Sequence, residues 1–339
     1  MSKYRAAVIG CKGIGSMHAS GFAGLSNVDL VAVCDLSQEA LDQFREKWKE
    51  TWPHVVPYTD YREMLTNERL DLVTVATSDH RHAELVIDAA NAGAKGIFCE
   101  KPMATNLSDA DRMVEAARRN NTILSIDHTR RFTALWRYAK EELVDKGEIG
   151  EVRNIIGTLN GPRSMLFRNG THFIDAICYL ANSDAEWVFA DLEEGYECYQ
   201  EYGGDGGHDP NSEPSVHGYI RFKNGVRAFF AGGPKDTVTD NGIEVIGTTG
   251  RMVLMGGRAE LYRGPKPSTF EAIQPPEPEI DGIQAGVQEL VRLIDKGGEQ
   301  ASPGEAALMV VEIIIGFLES QRRGNVRVDL STLRNKGSL

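Results

Sequence analysis

At 339 residues the chain is long enough for about two domains with ample core. Its 37 Lys+Arg against 49 Asp+Glu give a net charge of −12, and no run of five basic residues occurs, which excludes the electrostatic footprint of a nucleic-acid binder. With 41% hydrophobic and 25% charged residues the composition is that of a globular protein and not a disordered one, so the acidity reports solubility, not a partner.

The first residues run directly into Ala6-Ala7-Val8-Ile9, too short for a secretory signal with a cleavage site. No window reaches the roughly 18–20 apolar residues of a membrane span. The richest stretch, 306–318, is broken by Glu312 and Gly316. Cys11, Cys34, Cys99, Cys178 and Cys198 lie far apart without a C-x-x-C pair. Neither a disulfide framework nor a zinc site is expected, no metal is assigned, and the expected location is the reducing cytoplasm.

Residues 3–10 form a short apolar run ending in glycine, the form of a strand buried on both faces. Helical spacing over 17–25 leads to a second apolar strand at 28–34, closed by Asp35. Residues 36–51 carry Leu41, Phe44 and Trp48 at helical intervals behind Ser37 as N-cap. A third strand at 70–76 precedes a helix over 80–92, stopped by Gly93; a fourth strand at 94–99 precedes a helix over 108–120 that starts on Ser108-Asp109-Ala110-Asp111. Residues 122–126 make a fifth strand. Five strand–helix alternations imply an α/β, doubly wound parallel sheet of Rossmann type, assigned to a dinucleotide-binding domain over 1–124.

Farther on, 216–222, 226–231, 243–247 and 252–255 are closely spaced strand-like runs, with Asn224-Gly225 and Thr249-Gly250 as hairpin turns. They predict an antiparallel meander in an α+β domain over 125–339, closed by helices over 283–296 and 304–320. Residues 195–214, rich in Gly, Asp, Tyr and Glu, read as a long irregular loop, and no internal repeat is visible.

The first strand-to-helix turn is Gly10-Cys11-Lys12-Gly13-Ile14-Gly15-Ser16-Met17-His18. Gly10 and Gly15 fit the G-x-G-x-x-G spacing that lays backbone N–H groups against a pyrophosphate, while Lys12 holds the middle position and Gly13 stands beside it. Asp35 ends the second strand 20 residues past Gly15, where a carboxylate accepts from a ribose diol and repels a 2′-phosphate. NAD is therefore expected, with NADP left open because Ser37 can bond a phosphate. A plain helix-capping role for Asp35 is the competing reading.

Two more stretches, Ala76-Thr77-Ser78-Asp79-His80-Arg81-His82-Ala83-Glu84 and Glu100-Lys101-Pro102-Met103-Ala104, follow the third and fourth predicted strands. With the glycine turn they resemble the Gfo/Idh/MocA family, the glucose–fructose oxidoreductase and inositol dehydrogenase group. The similarity continues through Asp127-His128-Thr129-Arg130-Arg131-Phe132, Gly170-Thr171-His172-Phe173-Ile174-Asp175 and Ile243–Gly250, and so runs across nearly the whole chain.

The resemblance implies a homodimeric or homotetrameric oxidoreductase acting on a secondary hydroxyl of a sugar, cyclitol or related polyol. It implies that Gly10, Gly13, Ile14 and Gly15 face the pyrophosphate and that Thr77, Ser78 and His82 line the cofactor channel. Glu100 would approach the nicotinamide ribose, and Lys101, on a cis Lys-Pro bond, would lie by the reacting carbon. His172 matches the family's catalytic histidine, suited by a near-neutral pKa to take the hydroxyl proton, while Lys101 polarises the same oxygen or relays its proton. His128 and one of Arg130 and Arg131, here Arg131, are candidate substrate contacts.

One position departs from the pattern. Relatives of the inositol type carry Asp four residues before the histidine; this chain has Arg168. A guanidinium neither accepts a proton nor orients an imidazolium by accepting from it. Either Asp175, one turn after His172, supports the histidine, or the substrate carries an oxyanion that Arg168 pairs with. His18 is assigned to helix packing or the pyrophosphate turn, Cys11, Cys34 and Cys99 to the core, and His208 and His217 to no role. Two alternatives stand beside the dehydrogenase: a redox-neutral glycoside-cleaving enzyme that oxidises its sugar transiently, with the Tyr-rich loop lining a larger site, and a non-catalytic NAD or sugar sensor, against which intact Lys101 and His172 argue.

Overall fold

The structure is a computed structural model that describes residues 3–204, 209–266 and 268–334, so part of the long loop, 205–208, lies outside the described residues. One compact unit is drawn from Met1–Phe132, Gly204–Gly206 and Glu279–Glu305, the other from Thr133–Gly203, Gly207–Pro278 and Ala306–Leu339.

In the first unit β1 (Tyr4–Ile9), α1 (Gly13–Phe22), β2 (Val28–Cys34), α2 (Gln38–Trp48), β3 (Val56–Tyr58), α3 (Tyr61–Glu68), β4 (Leu72–Val75), α4 (His82–Asn91), β5 (Gly96–Cys99), α5 (Leu107–Asn120) and β6 (Ile123–Ile126) alternate along the chain. The strands are all parallel, in the order β3-β2-β1-β4-β5-β6. Covering both faces of such a sheet with helices leaves the strands apolar throughout: Ala6, Ala7, Val8, Leu30, Ala32, Val33, Leu72, Val73, Ile97 and Phe98 have no exposed area. The sheet has six strands where the sequence predicts five, because β3 is a three-residue edge strand containing Pro57.

The helix Gly282–Lys296 also belongs to this unit, which the sequence-based boundary at 124 separates from it. The reason is close packing: a Cβ on Gly21 would stand 2.6 Å from Val287 Cβ, and one on Gly286 would stand 2.7 Å from the Phe98 ring. The caps hold one expectation and shift another. Ser37 Oγ accepts from Ala40 N (3.3 Å), as expected, but α5 is capped by Asn106, whose Oδ1 accepts from Asp109 N (2.9 Å), and not by Ser108. Asn106→Ala should therefore lower stability by about 1 kcal/mol, read as a melting temperature lower by roughly 2–4 °C.

The second unit holds one nine-stranded sheet: β7 (Val152–Leu159), β8 (Ala185–Leu192), β9 (Val216–Phe222), β10 (Arg227–Gly232), β11 (Asn241–Gly247), β12 (Gly250–Met255), β13 (Arg258–Arg263), β14 (Glu271–Ala272) and β15 (Val328–Asp329). Their order is β14-β13-β12-β11-β7-β10-β9-β8-β15. The predicted meander is two hairpins, β9–β10 and β11–β12, parted by β7, which pairs parallel with β10 and antiparallel with β11. Gly157, Phe230, Gly218 and Ala190 stand opposite one another on neighbouring strands and so share one face. A Cβ on Gly157 would meet Ile177 at 2.8 Å and one on Gly218 would meet Phe317 at 2.4 Å, so the helices Gly170–Ala181 and Gly304–Arg322 cover that face. The other face is aromatic and open: Tyr219 stacks with Trp187 (5.0 Å) and Phe189 (5.5 Å) and meets Phe229 edge-on, while Phe189 and Phe229 are exposed. No helix among the described residues is long and apolar enough to cross a membrane.

Candidate active site

The hydrogen-bond ladder of the first sheet runs one residue past its strands. Gly10 N donates to Cys34 O, Ala76 N to Ile9 O, Glu100 N to Val75 O and Asp127 N to Cys99 O, each at 2.8–2.9 Å. Four loops therefore start side by side along the carboxyl edge, and the strand order reverses between β1 and β4, the place where open α/β sheets leave a crevice.

At that crevice Gly10 has φ +81°, and a Cβ on it would stand 2.2 Å from Ala76 O; a Cβ on Gly15 would stand 1.7 Å from Gly10 O. Both positions are closed to any larger residue by backbone contact. Gly13 differs, since a Cβ there would meet nothing within 4 Å, and it is exposed together with Ile14. Helix α1 starts at Gly13 on an N-cap, Lys12, that makes no side-chain cap bond, with no acid in the first turn. Gly15 N donates to Lys12 O (2.8 Å), while no side chain caps the helix start at the exposed Gly13 and Ile14, the arrangement a pyrophosphate at a helix N-terminus requires. Asp35 spans the adjoining corner: Oδ2 accepts from Cys11 N (3.0 Å) and Oδ1 from Ser37 N (2.9 Å). The carboxylate so braces the glycine turn against the start of α2 and keeps lone pairs for a diol. This donor set fits a dinucleotide.

The Lys101-Pro102 bond is cis, as the resemblance implies, and Lys101 N donates to Glu100 Oε2 (3.3 Å). Lys101, Thr77 and Ser78 are half-buried. His82 is fully buried, with Nδ1 2.9 Å from Pro102 O and Nε2 3.2 Å from Thr77 O. Burial lowers its pKa, which keeps the ring neutral. A neutral ring carries a single N–H and so donates to only one of these two carbonyls, the nearer Pro102 O; buried between them, His82 packs the turn after β4 against the Glu-Lys-Pro turn and does not itself face solvent. His128 and Arg131 are buried as well, and Arg131 Nη1 donates to Ala301 O (2.9 Å). His18, expected to pack the first helix or serve the pyrophosphate turn, is fully buried on α1; what the sequence did not disclose is its contact with Glu100, Nε2 to Oε1 at 3.3 Å. Its only signal was a histidine one turn past the last glycine of the turn.

In the second unit the helix Gly170–Ala181 carries His172, half-buried, in its first turn and Asp175, fully buried, one turn on. Arg168 is held just ahead of it by an acid that sequence reasoning passed over: buried Glu213 accepts through Oε2 from Phe167 N (2.6 Å) and Arg168 N (3.1 Å). Tyr202 stacks on Phe167 with ring centroids 4.5 Å apart. Lys235 Nζ meets Glu193 Oε2 (2.7 Å) and lies 4.7 Å over the Tyr196 ring. Tyr202 and Glu213 of the Tyr-rich loop are thus pinned to the segment before His172, and Tyr196 to Lys235. An acid inside an irregular loop has no periodicity to reveal its burial.

Comparison with known proteins adds three findings. A family model described as an oxidoreductase family with an NAD-binding Rossmann fold, GFO/IDH/MocA, matches residues 4–128, and the GFO/IDH/MocA C-terminal domain matches 136–253. The chain is 31% identical over 260 residues to the myo-inositol 2-dehydrogenase of Thermotoga maritima, covering 73% of this chain and 74% of that one. Its fold is shared with the aldose-aldose oxidoreductase of Caulobacter crescentus, solved with glycerol (TM-score 0.79, 21% identity, 96% of this chain and 99% of that one). It is shared equally with a levoglucosan dehydrogenase solved with NADH and levoglucosan (TM-score 0.77, 19% identity, 97% and 100%).

Proposed function

We propose that this chain, an oxidoreductase that belongs to the GFO/IDH/MocA family and binds NAD, interconverts a secondary hydroxyl and a ketone on a sugar, cyclitol or related polyol. The observation that carries the reading is the glycine turn, with its open helix N-terminus, set beside a Glu-Lys-Pro turn on the same sheet edge. The relative named for myo-inositol supports a cyclitol or sugar substrate.

Bound NAD supplies the hydride acceptor; orientation and proton handling fall to the protein. Gly10, Gly13, Ile14 and Gly15 seat the pyrophosphate, Asp35 the adenosine ribose, and Glu100 the nicotinamide ribose, with Thr77 and Ser78 along the way. Lys101 polarises the reacting oxygen, and His172 takes the hydroxyl proton, supported by Asp175. Arg168 contacts the substrate and favours one bearing a carboxylate or other oxyanion. Arg131 and His128 support the substrate side from within the core. The first unit, with the helix Gly282–Lys296, serves the cofactor, the second serves substrate binding and self-association, and the open aromatic face is where a second copy would pack, giving a dimer or tetramer measurable by light scattering.

The test is NADH formation with a panel of inositols, aldoses, sugar acids and glycosides, each with NAD and with NADP. Steady NADH from one class supports the dehydrogenase and names its substrate; a preference for acids places Arg168 on the substrate. The pinned Tyr-rich loop favours the redox-neutral glycoside reading as the second choice, and product release without NADH would establish it. Silence on every substrate, with NADH still bound, would leave the sensor. On the cofactor side, Asp35→Ala should cut the preference for NAD over NADP at least about 10-fold, about 1.4 kcal/mol, compared as kcat/KM for the two.

A further inference from the structure

Three buried ionisable side chains meet beneath the carboxyl edge of the first sheet, and the roles above leave the central one unused. His18 Nε2 lies 3.3 Å from Glu100 Oε1 and 3.9 Å from Asp127 Oδ2, and the edge of the Phe98 ring closes the site, 5.1 Å between centroids. His18 has no exposed area, and Asp127 is 1% exposed. Neither His18 Nδ1 nor Asp127 Oδ2 has a hydrogen-bond partner among the described residues. Two carboxylates converging on one ring nitrogen in a dry site would repel each other strongly across a neutral ring; a charged ring balances one and bonds to the other.

Burial by itself pulls the His18 pKa down, but Asp127 and Glu100 outweigh it and hold it above its ordinary value. Burial, then Asp127, raises Glu100, against the pull of His18 and Lys101. Asp79 and Cys99 also face this side, and burial keeps the Cys99 thiol protonated.

We propose that His18 is a positioning residue: an imidazolium clamped between Glu100 and Asp127 that offsets the repulsion between the two acids, holds the Glu100 side chain beside Lys101, and so ties the pyrophosphate helix to the Glu-Lys-Pro turn. The consequence for turnover rests on the reading that Glu100 meets the nicotinamide ribose; the charge balance within the cluster does not.

The intact chain, labelled with 13C at the glutamate carboxyl carbons, reads this directly by NMR, with the Glu100 signal identified by its loss in Glu100→Gln. In His18→Gln the Glu100 midpoint should rise by about one pH unit or more, because two buried carboxylates lose their cation. Adding Asp127→Asn should bring it back down, because the like charge is gone. A role in packing alone predicts that the second substitution reverses nothing. If His18→Gln does not fold, Asp127→Asn alone reads the same coupling, with the Glu100 midpoint falling below that of the unsubstituted chain. An unmoved midpoint in these variants overturns the proposal, as does stoichiometric zinc in the purified chain that is lost in His18→Gln. NADH binding followed by fluorescence across pH separates the two readings. If its acid limb moves with the Glu100 midpoint, both stand; if the midpoint moves and binding does not, the clamp stands and the ribose role of Glu100 falls.

Discussion

Lys101→Met is expected to lower kcat for polyol oxidation by about 10³-fold, within the range that positioned proton-transfer groups contribute. Methionine keeps much of the length and the apolar stem of lysine but neither polarises an oxygen nor carries a proton. The turn itself should survive, since its anchors are the Glu100 N to Val75 O bond and the His82 clasp on Pro102 O, neither of which uses the ammonium. The dissociation constant for NADH should therefore stay within about threefold of that of the unsubstituted chain, because the lost ammonium is only one of several charges around Glu100. Steady-state rates and a fluorescence titration on the same preparation check both halves. Activity that survives largely intact would mean that another group carries the proton chemistry.

The second large effect is steric. A Cβ on Gly15 would lie 1.7 Å from Gly10 O and 2.8 Å from Gly10 C, and no side-chain rotation relieves a clash with backbone. Gly10 cannot step aside, because its own Cα already faces Ala76 O. Gly15→Ala should therefore cost about 3 kcal/mol, the upper range for overpacking, and lower the melting temperature by roughly 6–12 °C. NADH binding should fall with it, since opening the turn moves the N–H groups that face the pyrophosphate. Gly13→Ala is the control: its Cβ meets nothing, so only its φ of +43° opposes the change, at about 1–2 kcal/mol. Similar losses in the two variants would show that the clash is not what makes Gly15 a glycine.

The sequence disclosed the elements whose physical signal is strong and local. Strands buried on both faces read as continuous apolar runs, so β1, β2, β4, β5 and β6 stood out, as did the glycine corner and the cis-proline turn that the family resemblance carries. Strand β3 did not, being three residues at an edge. Strands β7 and β8 escaped for the opposite reason: one face is covered and the other open, so Asn154, Thr158, Glu186 and Asp191 break the apolar run. The interposition of β7 between two hairpins joins residues 73 to 95 positions apart, which no local pattern records. Of the candidate functional residues, Lys101 and His172 were named from motifs. His18 and Glu213 were not assigned their roles, because burial beside a particular carboxylate or backbone amide exists only once the chain has folded.

The large sheet of the second unit ends on either side in a strand of only two residues, β14 beyond β13 and β15 beyond β8. Long unpaired strand borders invite another chain to add itself by main-chain bonding, the route to runaway fibrous aggregates. Here β14 and β15 each take up part of that border, and on β8 two further amides are satisfied by side chains, Ala190 N donating to Ser320 Oγ (3.0 Å) and Leu192 N to Gln321 Oε1 (3.2 Å). The aromatic surface of the same sheet can therefore remain uncovered with less exposure to that hazard, because a contact made on it joins side chain to side chain and not main chain to main chain.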